Sequence, residues 1–365
     1  MSVSSELSSS IEIQSSTGSY AVAIRSHSFE ESLQQFDRAA IIADEFFAPA
    51  FARAGARAIF VEAKEENKSL DVSPGLIEQI RKAGANRQTE LVAVGGGIIQ
   101  DLSAFIASVY MRGLTWRYAP TTVLAMVDSC IGGKSSINVG PYKNLVGTFH
   151  PPKQVLVDPA LALTLPDDQK ASGLIEAVKI CYTRGADSFA RHVSYGPCVG
   201  MSTEALEQVI VNSLQAKKWF IEIDEFDKKE RLLLNFGHTF GHAIEGATHF
   251  AVSHGIAVGL GILCAIEFER QRGVSYAGVA RVGQLEEHLH AMISEVPDLR
   301  TPIAAMDVDE VIERFGSDKK HGPGSYTLIV IAENGDVALR KIEKTAAVTA
   351  EVGRAIRTVV ERYAR

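Results

Sequence analysis

Cysteine is scarce in this chain, and none of Cys130, Cys181, Cys198 and Cys264 forms a Cys-x-x-Cys pair, so all four read as reduced thiols of a cytoplasmic protein. Positive charge is not in excess. A net charge of −7 argues against a general binder of nucleic acid or of anionic membranes. It leaves room for a small anionic substrate held by a local group of Lys and Arg. No apolar run is long and uninterrupted enough to span a bilayer. The opening MSVSSELSSSIEIQSSTGS lacks a basic segment followed by an apolar core, so it does not read as a secretory signal. Residues 1–20 are expected to form a loose Ser-rich tail. No internal repeat is visible. What remains is 365 residues, 46% hydrophobic and 22% charged, the composition of a globular protein with room for two domains.

Short apolar strands alternate with amphipathic helices up to about Pro166. The strands are expected at 39–43 (AAIIA), 58–62, 91–94 and 154–158, with helices at 76–83 and 101–110. Strands without polar alternation, separated by helices, predict a parallel sheet covered on both faces. Beyond Leu165 the helical period dominates, at 169–181, 203–220, 239–247, 254–273 and 277–294. Asn334-Gly335 marks one late hairpin, and a closing helix starts near Ala347. These patterns predict an α/β domain over 21–165 and a mainly helical domain over 166–365.

The stretch LLLNFGHTFGHAIE, from Leu232 to Glu245, holds His238 and His242. Four residues turn a helix through about 400°, so both imidazoles leave from nearly one face. His254 heads a later apolar run. The spacing suits a metal, although no Glu follows His238 as it does in the zinc-protease pattern. It also suits two core histidines and a helix cap.

Val94 runs into Gly95-Gly96-Gly97 ahead of a helix, a place where backbone N–H groups can approach a pyrophosphate, or simply a structural turn. From Arg112 to Asn144, the residues Arg112, Lys134, Lys143 and Asn144 stand beside Gly-rich turns, and Asp128 lies near the end of an apolar segment. Cationic and amide donors on such loops are what a phosphate or carboxylate site requires. Glu176 and Lys179 are spaced for a helical salt bridge or for ligands of their own.

Taken together, these residues resemble the 3-dehydroquinate synthase family and its sugar-phosphate cyclase relatives over about residues 65–320. The resemblance implies an N-terminal Rossmann-like NAD-binding domain and a C-terminal, mainly α-helical metal-binding domain. GGGIIQD looks like the family's GGG-x-x-x-D and puts Gly96, Gly97, Ile98 and Asp101 at the NAD. The E-x-x-K element adds Glu65 and Lys68, and Asp44 ends the first strand. PTTVLAMVDSCIGGKSSIN matches PTT…D-x-x-x-GGK-x-x-x-N. That implies Thr121, Thr122, Leu124 and Ser129 on the cofactor, Asp128 near both ligands and Lys134 on the substrate. KNLVG adds Lys143 to the cofactor site and Asn144 to the substrate site, and TLP continues the cofactor site with Thr164 and Leu165.

By the same resemblance Glu176, His238 and His254 hold Zn²⁺ or Co²⁺. Lys179, Lys217, Arg231, Asn235, His242 and one of Lys319 or Lys320 bind a phosphorylated sugar acid. Asp128, Lys134, Lys179, Lys217, Arg231, Asn235 and His242 make up the implied catalytic set. Arg112 matches a residue that reaches a neighbouring subunit's site, which implies a homodimer. The implied reaction converts 3-deoxy-D-arabino-heptulosonate 7-phosphate to 3-dehydroquinate. Alternatives are a sister cyclase acting on sedoheptulose 7-phosphate or an amino-substituted analogue, and a metal-dependent alcohol dehydrogenase. Three departures stand out: Asp44-Glu45-Phe46 in place of D-x-N, NVGPYKN in place of N-x-P-x-GKN, and IEAVKICY in place of AEVIKYG.

Overall fold

The computed structural model describes residues 9–36, 39–140 and 142–364. The chain divides into two compact units. One comprises residues 1–165 with 202–226, the other 166–201 with 227–365.

The first unit is built on a seven-stranded sheet. Its strands are β1 (Ser9–Ile13), β2 (Tyr20–Ile24), β3 (Ala40–Asp44), β4 (Ile59–Val61), β5 (Leu91–Gly95), β6 (Trp116–Pro120) and β9 (Gln154–Val157). A small hairpin, β7 (Ile137–Val139) and β8 (Tyr142–Val146), stands apart from it. The order across the sheet is β1-β2-β9-β6-β5-β3-β4, with β1 antiparallel to β2 and every other pairing parallel. The central β5 is buried along its whole length, as expected of a strand covered on both faces. The chain leaves β3 toward β4 and then returns to β5 on the opposite side. The order therefore reverses between β3 and β5, whose carboxyl ends are Asp44 and Gly95. In open parallel sheets, ligands bind at such a switch point.

Two expectations need correction here. Residues 1–8 of the expected tail lie outside the described residues, but Ser9–Ile13 is an edge strand, not tail. Ile11 and Ile13 alternate inward and are buried, which fixes its register against β2. The helix Thr203–Ile223, expected in the helical domain, belongs to the sheet unit. Ser213 Oγ donates to the Val127 carbonyl at 2.9 Å, and Gln14 N–H donates to Glu222 at 3.0 Å. Helical period says nothing about which core a helix joins.

The second unit is helical, with one antiparallel hairpin, β10 (Ser325–Ile331) and β11 (Val337–Glu343). The helix His254–Gln271 is buried almost throughout, and the helices Asp167–Arg184 and His238–Ala247 pack against it. Glycine allows that approach. A Cβ on Gly241 would lie 2.8 Å from the Ala257 carbonyl oxygen and 3.0 Å from Val258 Cα, both backbone atoms that cannot step aside. Among the described residues no helix is long and apolar enough to cross a membrane.

Candidate active site

In the sheet unit, Gly96 caps the helix Gly97–Val109 at the end of β5. A Cβ there would lie 2.9 Å from Thr122 Cγ2, so any side chain would require Thr122 to shift. The first N–H groups of that helix have no intrahelical partner and carry the positive end of the helix dipole. Beside them lies a connected polar network. Lys68 Nζ donates to Asn144 Oδ1 at 3.0 Å and stands 3.4 Å from Asp101 and 3.6 Å from Glu65. Lys143 reaches the same Glu65 at 3.4 Å. Asn138, the last residue of the PTT…GGK-x-x-x-N stretch, is also part of the site. It ties the network together, donating to Glu65 at 2.9 Å and accepting from the Asn144 N–H at 2.9 Å. Asp101 is pushed up to about 7 by burial, with the Lys68 ammonium working against the rise. Thus Glu65, Lys68, Asp101, Lys143 and Asn144, separated by up to 79 positions, do meet.

Asp128 ends its apolar segment in a turn rather than in a strand. It lies in a π-helical turn, Ala125–Ser129, that follows β6 and Thr121-Thr122. Such turns are rare and concentrate at functional places. Lys217 secures this one. Its ammonium pairs with Asp128 Oδ1 at 2.7 Å and donates to the carbonyls of Asp128 and of Ile131, the latter at 3.2 Å. Ser129 and Gln100 exchange two hydrogen bonds at 2.6 and 2.7 Å, fastening the turn to the Gly97–Val109 helix. Lys134 is half-buried, with its ammonium 6.0 Å from the Phe149 ring centre. Asp44 caps a 3₁₀ turn through the Phe46 N–H, and Thr164 closes another through the Leu161 carbonyl. Arg112 is exposed in a left-handed pair with Met111, at φ 72° and 49°.

In the helical unit, His238 opens the helix His238–Ala247, and His242 follows one turn later. His254 opens the next long helix. One ligand nitrogen from each of the three imidazoles lies within 4.8 Å of the other two. His238 Nδ1 faces the Phe236 carbonyl at 3.3 Å and His254 Nδ1 faces Glu245 at 3.2 Å, so each Nε2 is left as a lone-pair donor. Glu176 Oε1 is 3.6 Å from His254 Nε2 and is buried without a hydrogen-bond partner. Its other oxygen accepts from Lys179, giving the helical pair that the spacing predicts. A buried carboxylate oxygen left over beside His254, itself one of three clustered imidazoles, is a donor set that fits a divalent cation. The compact group includes His242, expected on the substrate, while Glu176 borders it through His254. Burial, and then the Lys179 charge, hold His238 well below the ordinary imidazole value, as a ligand nitrogen requires. Burial works against charge on His254 as well, but the Glu245 hydrogen bond and the Glu176 charge outweigh it and raise that group.

Arg231 is buried at the start of the 3₁₀ turn that leads into this cluster, and Asn235 closes the turn on the Leu232 carbonyl at 3.0 Å. Of the two lysines left open, Lys319 is exposed and Lys320 is half-buried. The Lys320 charge acts on both His238 and His242, and its ammonium makes no hydrogen bond, with Asp318 3.8 Å away. Lys320 is therefore the one beside the imidazoles.

The model of the 3-dehydroquinate synthase N-terminal domain matches residues 58–172, and that of the C-terminal domain matches 173–321. A 3-dehydroquinate synthase of Dehalococcoides mccartyi is 33% identical over 288 residues, 78% of each chain. One from Pyrobaculum islandicum is 34% identical over 332 residues, 90% of this chain and 92% of its own. Among solved structures, 2-deoxy-scyllo-inosose synthase in complex with carbaglucose-6-phosphate, NAD⁺ and Co²⁺ superposes with a TM-score of 0.81. That match has 24% identity and covers 96% of this chain and 99% of the other, a likeness of fold. The Gly-capped helix, the π turn and the imidazole cluster thus stand in a chain that belongs to the 3-dehydroquinate synthase family.

Proposed function

We propose that this chain is a carbon–oxygen lyase that cyclises 3-deoxy-D-arabino-heptulosonate 7-phosphate to 3-dehydroquinate, releasing phosphate. The observation that carries the reading is the orphaned Glu176 oxygen beside the imidazoles in a chain of this family. When bound, NAD⁺ supplies reversible hydride acceptance and a divalent cation supplies Lewis acidity toward a substrate hydroxyl.

The protein's own groups do the rest. Glu176, His238 and His254 would hold the cation, Zn²⁺ or Co²⁺, and leave coordination open to substrate oxygens. Glu65, Lys68, Asp101 and Lys143, with the Gly96-Gly97 turn, would hold the dinucleotide. In the helical unit Lys179, Arg231, Asn235, His242 and Lys320 offer cations and amides to a carboxylate, hydroxyls and phosphate. In the sheet unit Lys134, Asn144 and Lys217 do the same. Gathering two anionic groups of one substrate requires such fixed charges, since water would otherwise have to be reorganised as phosphate leaves. No side chain is assigned as sole base, and the departing phosphate can take the proton itself. Lys217 has bonds to Asp128 and two carbonyls, so it reaches substrate only by exchanging one of them. We further propose a cytoplasmic homodimer, with Arg112 the residue offered to the neighbouring copy.

The test is phosphate release from a panel of sugar phosphates with NAD⁺ and Zn²⁺ or Co²⁺ present. Release from 3-deoxy-D-arabino-heptulosonate 7-phosphate with dehydroquinate as product supports the reading. Release only from sedoheptulose 7-phosphate or an amino analogue moves the enzyme to a sister branch. The NVGPYKN loop, with its exposed Tyr142, is the observation favouring that second outcome.

A further inference from the structure

We propose that Glu245 is a positioning residue for the metal centre, setting the tautomer and the ring orientation of His254 through Nδ1. The inference rests on the metal reading given above and assigns a role to a residue outside the donor set.

His254 is flanked by carboxylates on both nitrogens. Glu245 Oε2 lies 3.2 Å from Nδ1, and Glu176 Oε1 lies 3.6 Å from Nε2. A neutral imidazole carries one proton, and only one of its nitrogens can be a ligand while the other donates. Nε2 is the nitrogen that faces Glu176, another proposed ligand, and one nitrogen of His254 lies within 4.8 Å of one each from His238 and His242. The proton therefore belongs on Nδ1, and Glu245 is the acceptor that keeps it there. His238 obtains the same service from a backbone carbonyl, that of Phe236. A carboxylate is the stronger acceptor and raises the basicity of the ring it holds.

The backbone around the pair is built to bring these two side chains together. Glu245 lies in the last turn of the helix His238–Ala247, and His254 opens the next. The link between them is short and strained, with His249 and Phe250 both left-handed at φ 49° and 64°. It is closed by the Phe250 N–H on the Glu245 carbonyl at 2.9 Å. Non-glycine residues hold such dihedrals only where the surroundings over-determine them. On the far side, Ser172 Oγ accepts from the Gly255 N–H at 2.9 Å and fixes the backbone next to His254. The ring is thus held at Nδ1 by Glu245, while Ser172 fixes the backbone of the next residue.

The test uses the zinc-loaded protein and follows the rate at which zinc passes to a chromogenic chelator. Glu245→Ala is expected to release zinc about 10- to 100-fold faster than wild type, the range for loss of an outer-shell partner. Glu245→Gln keeps a carbonyl oxygen that can accept from Nδ1–H and is expected to stay within about threefold of wild type. Glu245→Asp retracts the acceptor by one methylene and should release zinc faster than Glu245→Gln. A purely structural role would lower the melting temperature without producing this order. Equal rates in wild type and Glu245→Ala overturn the proposal. If Glu245→Ala does not fold, the Gln and Asp variants decide, and equal rates in those two overturn it. A wild-type chain that retains no zinc overturns the metal reading itself, a result distinguishable from either.

Discussion

The candidate sites of the two units hold their charged groups differently. In the sheet unit the polar groups satisfy one another: Lys68 with Asp101 and Asn144, Lys143 with Glu65, Lys217 with Asp128. In the helical unit several stay unsatisfied. Glu176 Oε1, Lys320 Nζ and Asp318 Oδ2 are buried and make no hydrogen bond, although the last two face each other at 3.8 Å. A paired network holds a loop in shape whether or not a ligand is there. Buried polar atoms left without a hydrogen bond raise the energy of the protein alone and are compensated when something charged binds. On the function proposed above, the sheet-unit network would be shaped in advance for a dinucleotide, and the unsatisfied atoms of the helical unit would be compensated by a cation and an anionic substrate.

That contrast can be broken experimentally. His238→Ala attacks the unpaired side, and it should abolish stoichiometric zinc and cut phosphate release at least about a hundredfold, on the order of 2.7 kcal/mol. Full zinc occupancy by metal analysis would remove His238 from the ligand set. Gly241→Ala drives a Cβ into the Ala257 and Val258 backbone and should cost about 2 kcal/mol in denaturant unfolding. Wild-type stability there would mean that the helix pair is looser than its geometry states. Lys217→Ala attacks the paired side. It should lower kcat/KM at least about tenfold, roughly 1.4 kcal/mol, and also lower the melting temperature, because it releases the π turn. Loss of activity with no loss of stability would make Lys217 a substrate group alone.

The smallest effect concerns pH. His192 and His288 meet edge to face at 5.3 Å between ring centres. Both are held down by burial, to about 3 and about 4, from an ordinary 6.5. A base with a depressed folded value binds fewer protons folded than unfolded. Its stabilising contribution is present above 6.5 and is lost as pH falls toward those folded values. Lowering the pH from 7.5 to 6 should therefore cost about 0.8 kcal/mol per histidine. His192→Leu should remove one such share, and an unchanged pH slope in urea unfolding would refute the assignment.

The parallel sheet was legible because apolar runs such as LVAV and QVLV have no polar alternation, and β3, β4, β5 and β9 fall within a residue or two of their expected places. The strand β6 was not, since TWRYAP carries a charge and ends in proline. Its Arg117 is compatible with the strand because it pairs with Glu90, a partner that no local pattern announces. Helix Thr203–Ile223 was legible as a helix but not as a member of the sheet unit, which is a tertiary fact. The imidazole cluster was legible because its spacing is local. Asn138 and Glu245 were in plain view within quoted motifs, yet their roles depend on where other side chains end up. Lys319 and Lys320 likewise differ only in their tertiary surroundings, in burial and in the reach of the Lys320 charge to His238 and His242.

The central claim of the proposed function is that NAD⁺ is used and regenerated within one turnover. It is tested most directly by counting phosphate released from 3-deoxy-D-arabino-heptulosonate 7-phosphate when NAD⁺ is limiting, while NADH absorbance is followed. Many phosphates per NAD⁺, with no NADH accumulating, is the result expected of a redox-neutral cyclase. One NADH per substrate consumed, with phosphate retained, would contradict it and make the chain a dehydrogenase.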